Sequence, residues 1–429
     1  MVDEKAVIGK VAWRFIPLLV TAAFLAYLDR VNVSFAALTM NADLGLSAAA
    51  YGFGASIFFV TYVLTEVPSN IILARVGARI WLARIMFTWG LISLLMIFVR
   101  GEYSFYLLRA LLGIAEAGLY PGIVYFMALW FPARYRARIG SFFWLSIPLS
   151  TVIGAPISGL FLNLDGLMGL TGWMWLFILE SVPTILMSFV LYTVLRNSPA
   201  EAEWLTPSER EWLTRRMASE ADAVETNHGV LAALGNSVVL ALGFVCFGAV
   251  IINYGVNFFL PQIVKGFGLS NTAVGFVTAL PSIAAVCGIL LFGYISDKTG
   301  NRRGCVAVAI TAVAGCLALS TLFADPVYKM VALVAAGFFM FGYLAPFWAI
   351  PHQFLKGAAL AAGIAAINSL GNVGGIVGPW LMGYLRDRTG SFEGGLLALA
   401  AVGLLAVPLL LILRRPTPAM QVDVSRSSA

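Results

Sequence analysis

Residues 15–38 read FIPLLVTAAFLAYLDRVNVSFAAL, an apolar run that contains Asp29 and Arg30. A run of this length is sufficient for an α-helix to cross a lipid bilayer. Two opposite charges in such a helix are costly, and they are tolerated where they face a bundle interior or a water-filled cavity. The run therefore predicts a membrane protein whose polar site lies among its helices.

The composition of the whole chain indicates the same class. Of its 429 residues, 60% are hydrophobic and 11% are charged, and the mean hydropathy is +0.91. The four cysteines lie in apolar runs without metal-ligand spacing, so we expect neither a metal site nor a disulfide. The repeated apolar runs predict an all-α membrane protein with twelve transmembrane spans. Their centres fall near residues 26, 63, 93, 114, 152, 188, 248, 284, 313, 338, 373 and 406.

The longest polar interruption divides the predicted spans six and six. It predicts an N-terminal six-helix bundle over residues 1–195, a cytoplasmic linker over 196–236 and a C-terminal bundle over 237–429. Within the linker, Thr206 and Glu209 have the spacing of a capping box, with proline between them at the first helical position. We therefore expect a short amphipathic helix in the linker.

The distribution of basic residues predicts the orientation. With the N-terminus inside, most lysines and arginines between the spans fall on the cytoplasmic side. The exceptions are Arg100, Lys265, Lys329, Arg386 and Arg388. Because basic residues collect in cytoplasmic loops, both termini are predicted to be cytoplasmic.

The two halves show a weak internal repeat. Residues 70–79, after the second span, and residues 293–303, after the eighth, each contain a glycine turn followed by arginine. Repeated halves around a midplane site are typical of secondary transporters.

On these features the chain resembles the major facilitator superfamily over nearly its whole length. Residues 293–303 contain the glycine–aspartate–basic loop of that superfamily, with Asp297 and Arg302, whereas Ala74 replaces the usual acidic residue in the first copy. The resemblance implies two pseudo-symmetric six-helix bundles. It also implies that Asp297 and Arg302 take part in gating.

Within that superfamily the chain is similar to the anion:cation symporter family. The segments that carry the resemblance are Tyr27-Leu-Asp29-Arg30-Val-Asn32, Glu66-Val-Pro68-Ser-Asn70, Arg109-Ala-Leu-Leu-Gly-Ile-Ala-Glu116 and Trp130-Phe-Pro132. Bacterial members carry tartrate, galactonate, phthalate and hydroxyphenylacetate. The resemblance implies a bacterial inner-membrane transporter of organic anions, coupled to protons or sodium and without a cofactor.

Arg30 is the first candidate for binding the substrate anion. Its guanidinium group stays charged and matches a carboxylate with a planar pair of donors. The alternative is that Arg30 only neutralises Asp29. Adjacent residues of a helix point about 100° apart, however, so the two need not satisfy each other.

Asp29, Glu116 and Arg109 are predicted to couple transport to protons. A carboxyl group removed from water holds a proton more readily, whereas a nearby arginine favours the ionised form. Arg109 and Glu116 are seven residues apart and share one helix face. We expect Arg109 to pair with ionised Glu116 and to be released when Glu116 is protonated. A static ion pair, or direct substrate binding by Arg109, is the alternative.

The C-terminal half supplies polar and aromatic candidates for substrate binding. They are Asn253, Tyr254, Asn257, Trp348 and Asn368. For each asparagine the alternative is a hydrogen bond between helices. The resemblance implies that Tyr27, Tyr62, Trp348 and Asn368 line the pocket. Glu66 lies near the end of the second span and is predicted to act in gating or helix capping.

The fifth predicted span bears on the substrate. It carries Ile147 where relatives that transport sugar acids tend to have a polar side chain. This difference favours a compact or aromatic carboxylate over a polyhydroxylated one.

The sequence as a whole predicts proton-coupled uptake of a carboxylate, such as a tartrate-like or aromatic acid, by a monomer without a nucleic-acid partner. The alternative is an exchanger or efflux protein of the same fold. A membrane enzyme or a sensor is disfavoured, because we find no nucleophile–base pair and no appended domain in the sequence.

Overall fold

The computed structural model consists of long α-helices and describes residues 2–221, 235–355 and 357–413. Eleven helices within these ranges are long and apolar enough to cross a membrane. The helix Gly357–Thr389, with 33 residues, makes the twelfth. The described ranges contain no β-strand. The predicted all-α fold with twelve spans is confirmed.

The spans are numbered 1 to 12 in chain order. Spans 1 to 6 are Glu4–Leu44, Ala48–Val76, Ala78–Leu95, the pair Glu102–Glu116 and Leu119–Trp130, Ala133–Phe161, and Gly172–Val194. Spans 7 to 9 are Ser237–Lys265, Asn271–Thr299 and Arg302–Leu322. Span 10 comprises Pro326–Gly342, Leu344–Trp348 and Pro351–Phe354. Spans 11 and 12 are Gly357–Thr389 and Glu393–Ile412.

Local sequence signals determine where span 1 begins and ends. The carboxylate of Asp3 accepts hydrogen bonds from the N–H groups of Lys5 and Ala6, at 3.0 and 3.3 Å, and so caps the first turn. At the other end Gly45 has a φ of +66°, the left-handed conformation that commonly ends a helix. Ser47 then caps span 2 through a hydrogen bond from the N–H of Ala50. The tight turn between these caps makes spans 1 and 2 antiparallel neighbours.

The linker helix Pro207–Ala221 is bound to the N-terminal bundle. The predicted capping box is confirmed: the N–H of Thr206 donates to Glu209 at 3.0 Å, and the N–H of Glu209 donates to the Thr206 hydroxyl at 3.4 Å. Lys10 of span 1 pairs with Glu209 at 2.7 Å, and this ammonium group lowers the pKa of the Glu209 carboxyl. Residues 222–234 of the predicted linker lie outside the described residues, and the domain boundaries stay a prediction.

The two bundles close against each other on one side of the protein. We call the side where span 1 begins and span 12 ends the terminal side, and the closure lies on the opposite side. There the carboxylate of Asp387, in span 11, accepts the N–H groups of Ala48 and Ala49 at 3.1 and 2.7 Å. Spans 5 and 8 also touch, because a Cβ atom added at Gly275 would lie 2.5 Å from the carbonyl oxygen of Ala155.

Replacing Gly275 by leucine is expected to shift the protein away from this closed contact. The added side chain meets the backbone of span 5, and overpacking of this kind costs about 1–3 kcal/mol. A change of that size alters the ratio of two conformations by about 5- to 150-fold. The measurement is the alkylation rate of a cysteine introduced at Ser369, in the wall of the cavity between the bundles, after the native cysteines are replaced. The rate should fall.

The matched control for this experiment is Gly315→Leu in span 9. Nothing lies within 4 Å of a Cβ atom added at Gly315. In this variant the cysteine introduced at Ser369 should therefore be alkylated at the same rate as in the parent protein. If Gly275→Leu also leaves the rate unchanged, spans 5 and 8 do not form the closure.

Candidate functional site

A cavity of about 420 Å³ lies between the two bundles, with its wall built from the terminal-side parts of several spans. Seven of the side chains predicted from the sequence line it. They are Tyr27, Arg30, Tyr62, Glu66, Tyr254, Trp348 and Asn368. The wall also contains Asn372, a further polar residue of span 11, and groups that the sequence did not suggest, among them Phe59, Tyr120 and Ser369. The cavity combines one guanidinium group with aromatic faces and a polar strip from span 11.

Arg30 is the centre of the contacts at this cavity. Its Nη2 atom forms an ion pair with Oε1 of Glu116, and both side chains are buried. Its Nη1 atom donates a hydrogen bond to the hydroxyl of Tyr254 at 3.1 Å. Span 1 and span 4 of the N-terminal bundle are thereby connected to span 7 of the C-terminal bundle.

Aromatic rings surround the Arg30 guanidinium group. Its central carbon lies 5.2 to 5.8 Å from the ring centroids of Phe58, Phe59, Tyr62 and Tyr120. Contacts of a cation with ring faces at this distance are attractive, more so where water is excluded. The rings therefore keep a positive charge in place at the cavity wall.

The structure corrects the predicted pairing of Arg109 with Glu116. Glu116 pairs with Arg30, while Nε of Arg109 donates to the carbonyl oxygen of Gly54 at 3.3 Å. Seven residues of α-helix rise about 10.5 Å, and helical side chains tilt toward the N-terminus, so Arg109 extends away from Glu116. Its guanidinium carbon lies 4.8 Å from the ring centroid of Phe58, inside the N-terminal bundle. Arg109 does not line the cavity.

Asp29 points away from the cavity and into the N-terminal bundle. Its Oδ2 atom accepts the indole N–H of Trp89 at 2.6 Å, and Oδ1 accepts from Asn32 at 3.0 Å and from the hydroxyl of Ser93. Three hydrogen-bond donors from spans 1 and 3 thus hold this carboxyl group in place. Asp29 and Arg30 thus face different surroundings, as the 100° separation of neighbouring helical residues allows.

Span 4 is interrupted directly after Glu116. Ala117 and Gly118 leave the helix, Gly118 with a φ of +93°, and a second helix begins at Leu119. The freed carbonyl oxygen of Ala117 accepts a hydrogen bond from the Ser69 hydroxyl at 2.7 Å. Irregular backbone at membrane depth is tolerated where it is buried in protein or lines a cavity.

The break in span 4 was not predicted from the sequence. Its signal in the sequence is Gly118 followed closely by Pro121, a pair that commonly interrupts a helix. The second helix of the span brings Tyr120 to the cavity wall.

Two predicted binding residues lie outside the cavity wall. The side-chain amide of Asn257 donates to Asn253, to its backbone oxygen and to Oδ1, each at 2.9 Å. Within span 7 they bond to each other, four residues apart, and their role in substrate binding stays a prediction. Tyr254, between them in sequence, is the residue of this span that faces the cavity.

The predicted gating residues are spread over the terminal side. Glu66 lies in the cavity wall, and its carbonyl oxygen accepts the amide of Asn70 at 2.9 Å. Arg302, at the start of span 9, donates to the carbonyl oxygen of Ala349 at 2.7 Å and so ties span 9 to span 10. Asp297 is exposed. Their gating roles stay a prediction.

The sequence of this chain is similar to that of a known protein family. The sequence pattern described as the Major Facilitator Superfamily matches residues 19–263 and 242–427. This chain belongs to the Major Facilitator Superfamily. The members of that superfamily found as relatives are transporters rather than enzymes, and a multi-pass chain with such bacterial relatives is a protein of the inner membrane.

Three relatives illustrate the range of names. A protein of Agrobacterium vitis named "Putative tartrate transporter" is 47% identical, covering 97% of this chain and 93% of its own length. The "Quinolone resistance transporter" of Acinetobacter baumannii is 40% identical, with 93% of each chain covered. The "Inner membrane transport protein RhmT" of Escherichia coli is 38% identical, with 98% of each covered. The tartrate-named relative agrees with the narrower resemblance to the anion:cation symporters.

Solved structures show the same fold. The inward open conformation of the xylose transporter XylE from E. coli matches with a TM-score of 0.76 over 96% of this chain and 97% of that chain, at 15% identity. A bacterial homologue of the human lysosomal transporter Spinster, inward-facing and unoccupied, matches with a TM-score of 0.73 over 96% of each chain, at 16% identity. At such low identity these matches establish the fold alone.

Proposed function

We propose that this protein takes up an organic carboxylate together with protons by alternating access. The observation that carries the proposal is the ion pair between Arg30 and Glu116 at the cavity wall. An arginine that is already paired with a carboxylate can exchange that partner for the carboxylate of a substrate. The protein's own acid and the incoming anion then compete for one guanidinium group.

Protonation of Glu116 decides this competition. When Glu116 takes up a proton it loses its negative charge, and Arg30 becomes available to the substrate with its planar donor pair. When Glu116 releases the proton, it recovers Arg30 and displaces the anion. This scheme replaces the predicted switch through Arg109, which instead adds positive potential from within the bundle.

Asp29 is proposed as the second group that can hold a proton. A monoanion entering a negative interior opposes about 2.3 kcal/mol per 100 mV, so one proton makes the step electroneutral. A second proton lets the membrane potential assist uptake. Protonation of Asp29 would also remove the negative charge near Arg109, and the remaining positive potential would favour an anion in the cavity.

The cavity wall supports a small carboxylate with a second polar group. Arg30 is positioned for one carboxylate, while Asn368, Ser369 and Asn372 form a polar strip on span 11. The flat faces of Tyr62 and Trp348 suit a planar or compact body between these ends. A tartrate-like acid or an aromatic acid meets these requirements, and the name of the 47% identical relative agrees with the former.

Uptake follows if the terminal side is cytoplasmic, as the basic residues predict. The cavity is then open to the cytoplasm and closed to the outside, and Glu66, Asp297 and Arg302 lie where an inner gate would form. The protein is proposed to act as a monomer, since both bundles around the cavity come from one chain.

Efflux is the second candidate, because the 40% identical relative is named for quinolone resistance and the cavity is rich in aromatic rings. Counterflow in proteoliposomes without a proton gradient separates coupled uptake from simple exchange. Drug resistance conferred on a host strain by this protein would support efflux instead.

The first test is a thermal-shift screen of the purified protein at two pH values. The ligands are tartrate, galactonate, phthalate, hydroxyphenylacetate and a quinolone. A ligand that binds the folded protein raises its melting temperature by mass action. We expect an acid to stabilise the protein, more strongly at the lower pH. Stabilisation by the quinolone with no response to any acid would overturn the proposal.

A further inference from the structure

Glu180, in span 6, is a buried acid that the proposed transport scheme does not use. Its side chain is 3% exposed and does not line the cavity. The hydroxyl of Ser158 in span 5 lies 2.7 Å from its Oε1 atom, and Oε2 has no hydrogen-bond partner among the described residues. Glu180 is therefore a carboxyl group enclosed by the N-terminal bundle.

The surroundings of Glu180 contain no neutralising cation. Within the described ranges, no lysine or arginine lies within ion-pair distance of it. Span 1 presents Asp29, which is itself acidic, span 5 presents the Ser158 hydroxyl, and span 3 packs against span 6 through Gly90. An ionised carboxylate in such a place would be strongly unfavourable.

The buried charges of the bundle leave no cation for Glu180. Arg30 pairs with Glu116, and Asp29 and Glu66 are two further buried carboxyl groups of the same bundle. Among the described residues, the buried guanidinium groups of Arg30 and Arg109 therefore already face three buried carboxyl groups. Glu180, the fourth, adds no further negative charge only if it carries a proton.

A side-chain amide connects Glu180 to Asp29. Asn32 donates its amide to Asp29 at 3.0 Å and also interacts with Glu180. A neutral acid next to Asn32 can hold this amide in place without competing with Asp29 as a charge. The position of the Asp29 carboxyl then depends on span 6 as well as on Trp89 of span 3.

We propose that Glu180 is a positioning residue for proton coupling, which keeps its proton throughout the transport cycle and holds Asp29 in place through Asn32. The proposal rests on the proposed function, because it assumes that Asp29 exchanges a proton. It assigns to span 6 a part in coupling although that span does not reach the cavity. It also predicts that Glu180 adds no proton to the number moved per substrate.

Infrared spectroscopy tests the retained proton without reference to transport. A neutral carboxylic acid has a carbonyl stretch that is separate from carboxylate and amide bands. We expect wild-type protein to show such a band from about pH 5 to about pH 7, a range in which free carboxyl groups are ionised or become so. Glu180→Gln should lose the band. If no band assignable to Glu180 exists, or if it disappears within that range, the proposal is wrong.

Transport in proteoliposomes tests the positioning role, with tartrate as the first substrate. Glu180→Gln keeps a neutral amide of the same shape, so the pH midpoint of uptake should equal that of the wild type. Glu180→Leu removes the contact to Asn32 and should move the midpoint by about 0.5 pH unit or more. Ser188→Ala is the matched control, because Ser188 is equally buried in span 6 and its hydroxyl donates to the carbonyl oxygen of Ile185 in the same helix.

The outcomes separate the two proposals. If wild-type protein shows no proton-dependent uptake of any acid, the proposed function fails, and the infrared band still decides whether Glu180 keeps its proton. If uptake is proton-dependent and Glu180→Gln shifts the midpoint, Glu180 exchanges a proton itself and the positioning role is overturned. An unshifted midpoint in Glu180→Leu overturns it as well.

Discussion

Replacing Arg30 by alanine is expected to weaken binding of a carboxylate substrate by at least about a hundredfold. Breaking a buried ion pair by removing one partner costs about 3–5 kcal/mol, and every 1.4 kcal/mol corresponds to about tenfold in affinity. In the proposed scheme the carboxylate of the substrate takes the place of Glu116 in the ion pair with Arg30. The measurement is the dissociation constant of the acid identified by thermal shift, determined by calorimetry at one pH.

Two further variants make the Arg30 result specific. Arg30→Lys keeps the positive charge but loses the planar donor pair, so it should recover only part of the affinity. Arg100→Ala removes an exposed arginine outside the cavity and should leave binding unchanged. If Arg30→Ala binds the acid as tightly as the wild type, Arg30 is a structural residue.

Replacing Glu116 by glutamine is expected to lower the accumulation of substrate driven by a pH gradient by about tenfold or more. In wild-type protein the affinity should rise as the pH falls, because protonation of Glu116 frees Arg30 for the anion. The glutamine side chain stays neutral at every pH, so Arg30 is always available. We expect the variant to bind with an affinity in which only the weaker pH dependence due to Asp29 remains, and to catalyse counterflow, as for the loss of one coupling step.

Glu66→Gln is the matched control for the Glu116 experiment. Glu66 is also buried and lies in the same cavity wall, but no arginine forms an ion pair with it in the described parts of the chain. A gating role of Glu66 would slow uptake and counterflow together, whereas the ratio of internal to external substrate reached at steady state should persist in this variant. Loss of accumulation in Glu66→Gln but not in Glu116→Gln would transfer the coupling role to Glu66.

The twelve-span fold was predictable because a bilayer imposes strong rules on sequence. The apolar run around Asp29 is too long and too rarely charged for a soluble helix, and eleven other runs follow the same pattern. The capping box at Thr206 was predictable for a similar reason, since two residues at a fixed spacing satisfy a local set of backbone groups. Both predictions depend on interactions that are local in sequence.

The ion pair at the cavity wall was not predictable by the same means. Arg109 and Glu116 share a helix face, yet helix periodicity does not state which way a long side chain extends or which neighbouring helix supplies a better partner. Arg30 reaches Glu116 from another span. That contact depends on how spans 1 and 4 pack, which a single sequence does not encode in its spacing.

The asparagines of span 7 illustrate the same limit. Asn253, Tyr254 and Asn257 are close in sequence, but only the tyrosine faces the cavity. The asparagines are four residues apart and satisfy each other along the helix. Composition correctly indicated polar groups in this span, whereas their direction followed from the rotation of the helix in the bundle.

The contact between spans 5 and 8 takes part in the closing of the two bundles and has no part in recognising the substrate. At Gly275 and Ala155 the surfaces that meet are backbone, with no charge to titrate and no side chain shaped for a ligand. Residues around the cavity can therefore change, and the cargo with them, without altering the surface that closes. Relatives that align over nearly their whole length carry different functional names. Such a range of names is expected if the cavity changes and the closing surface does not.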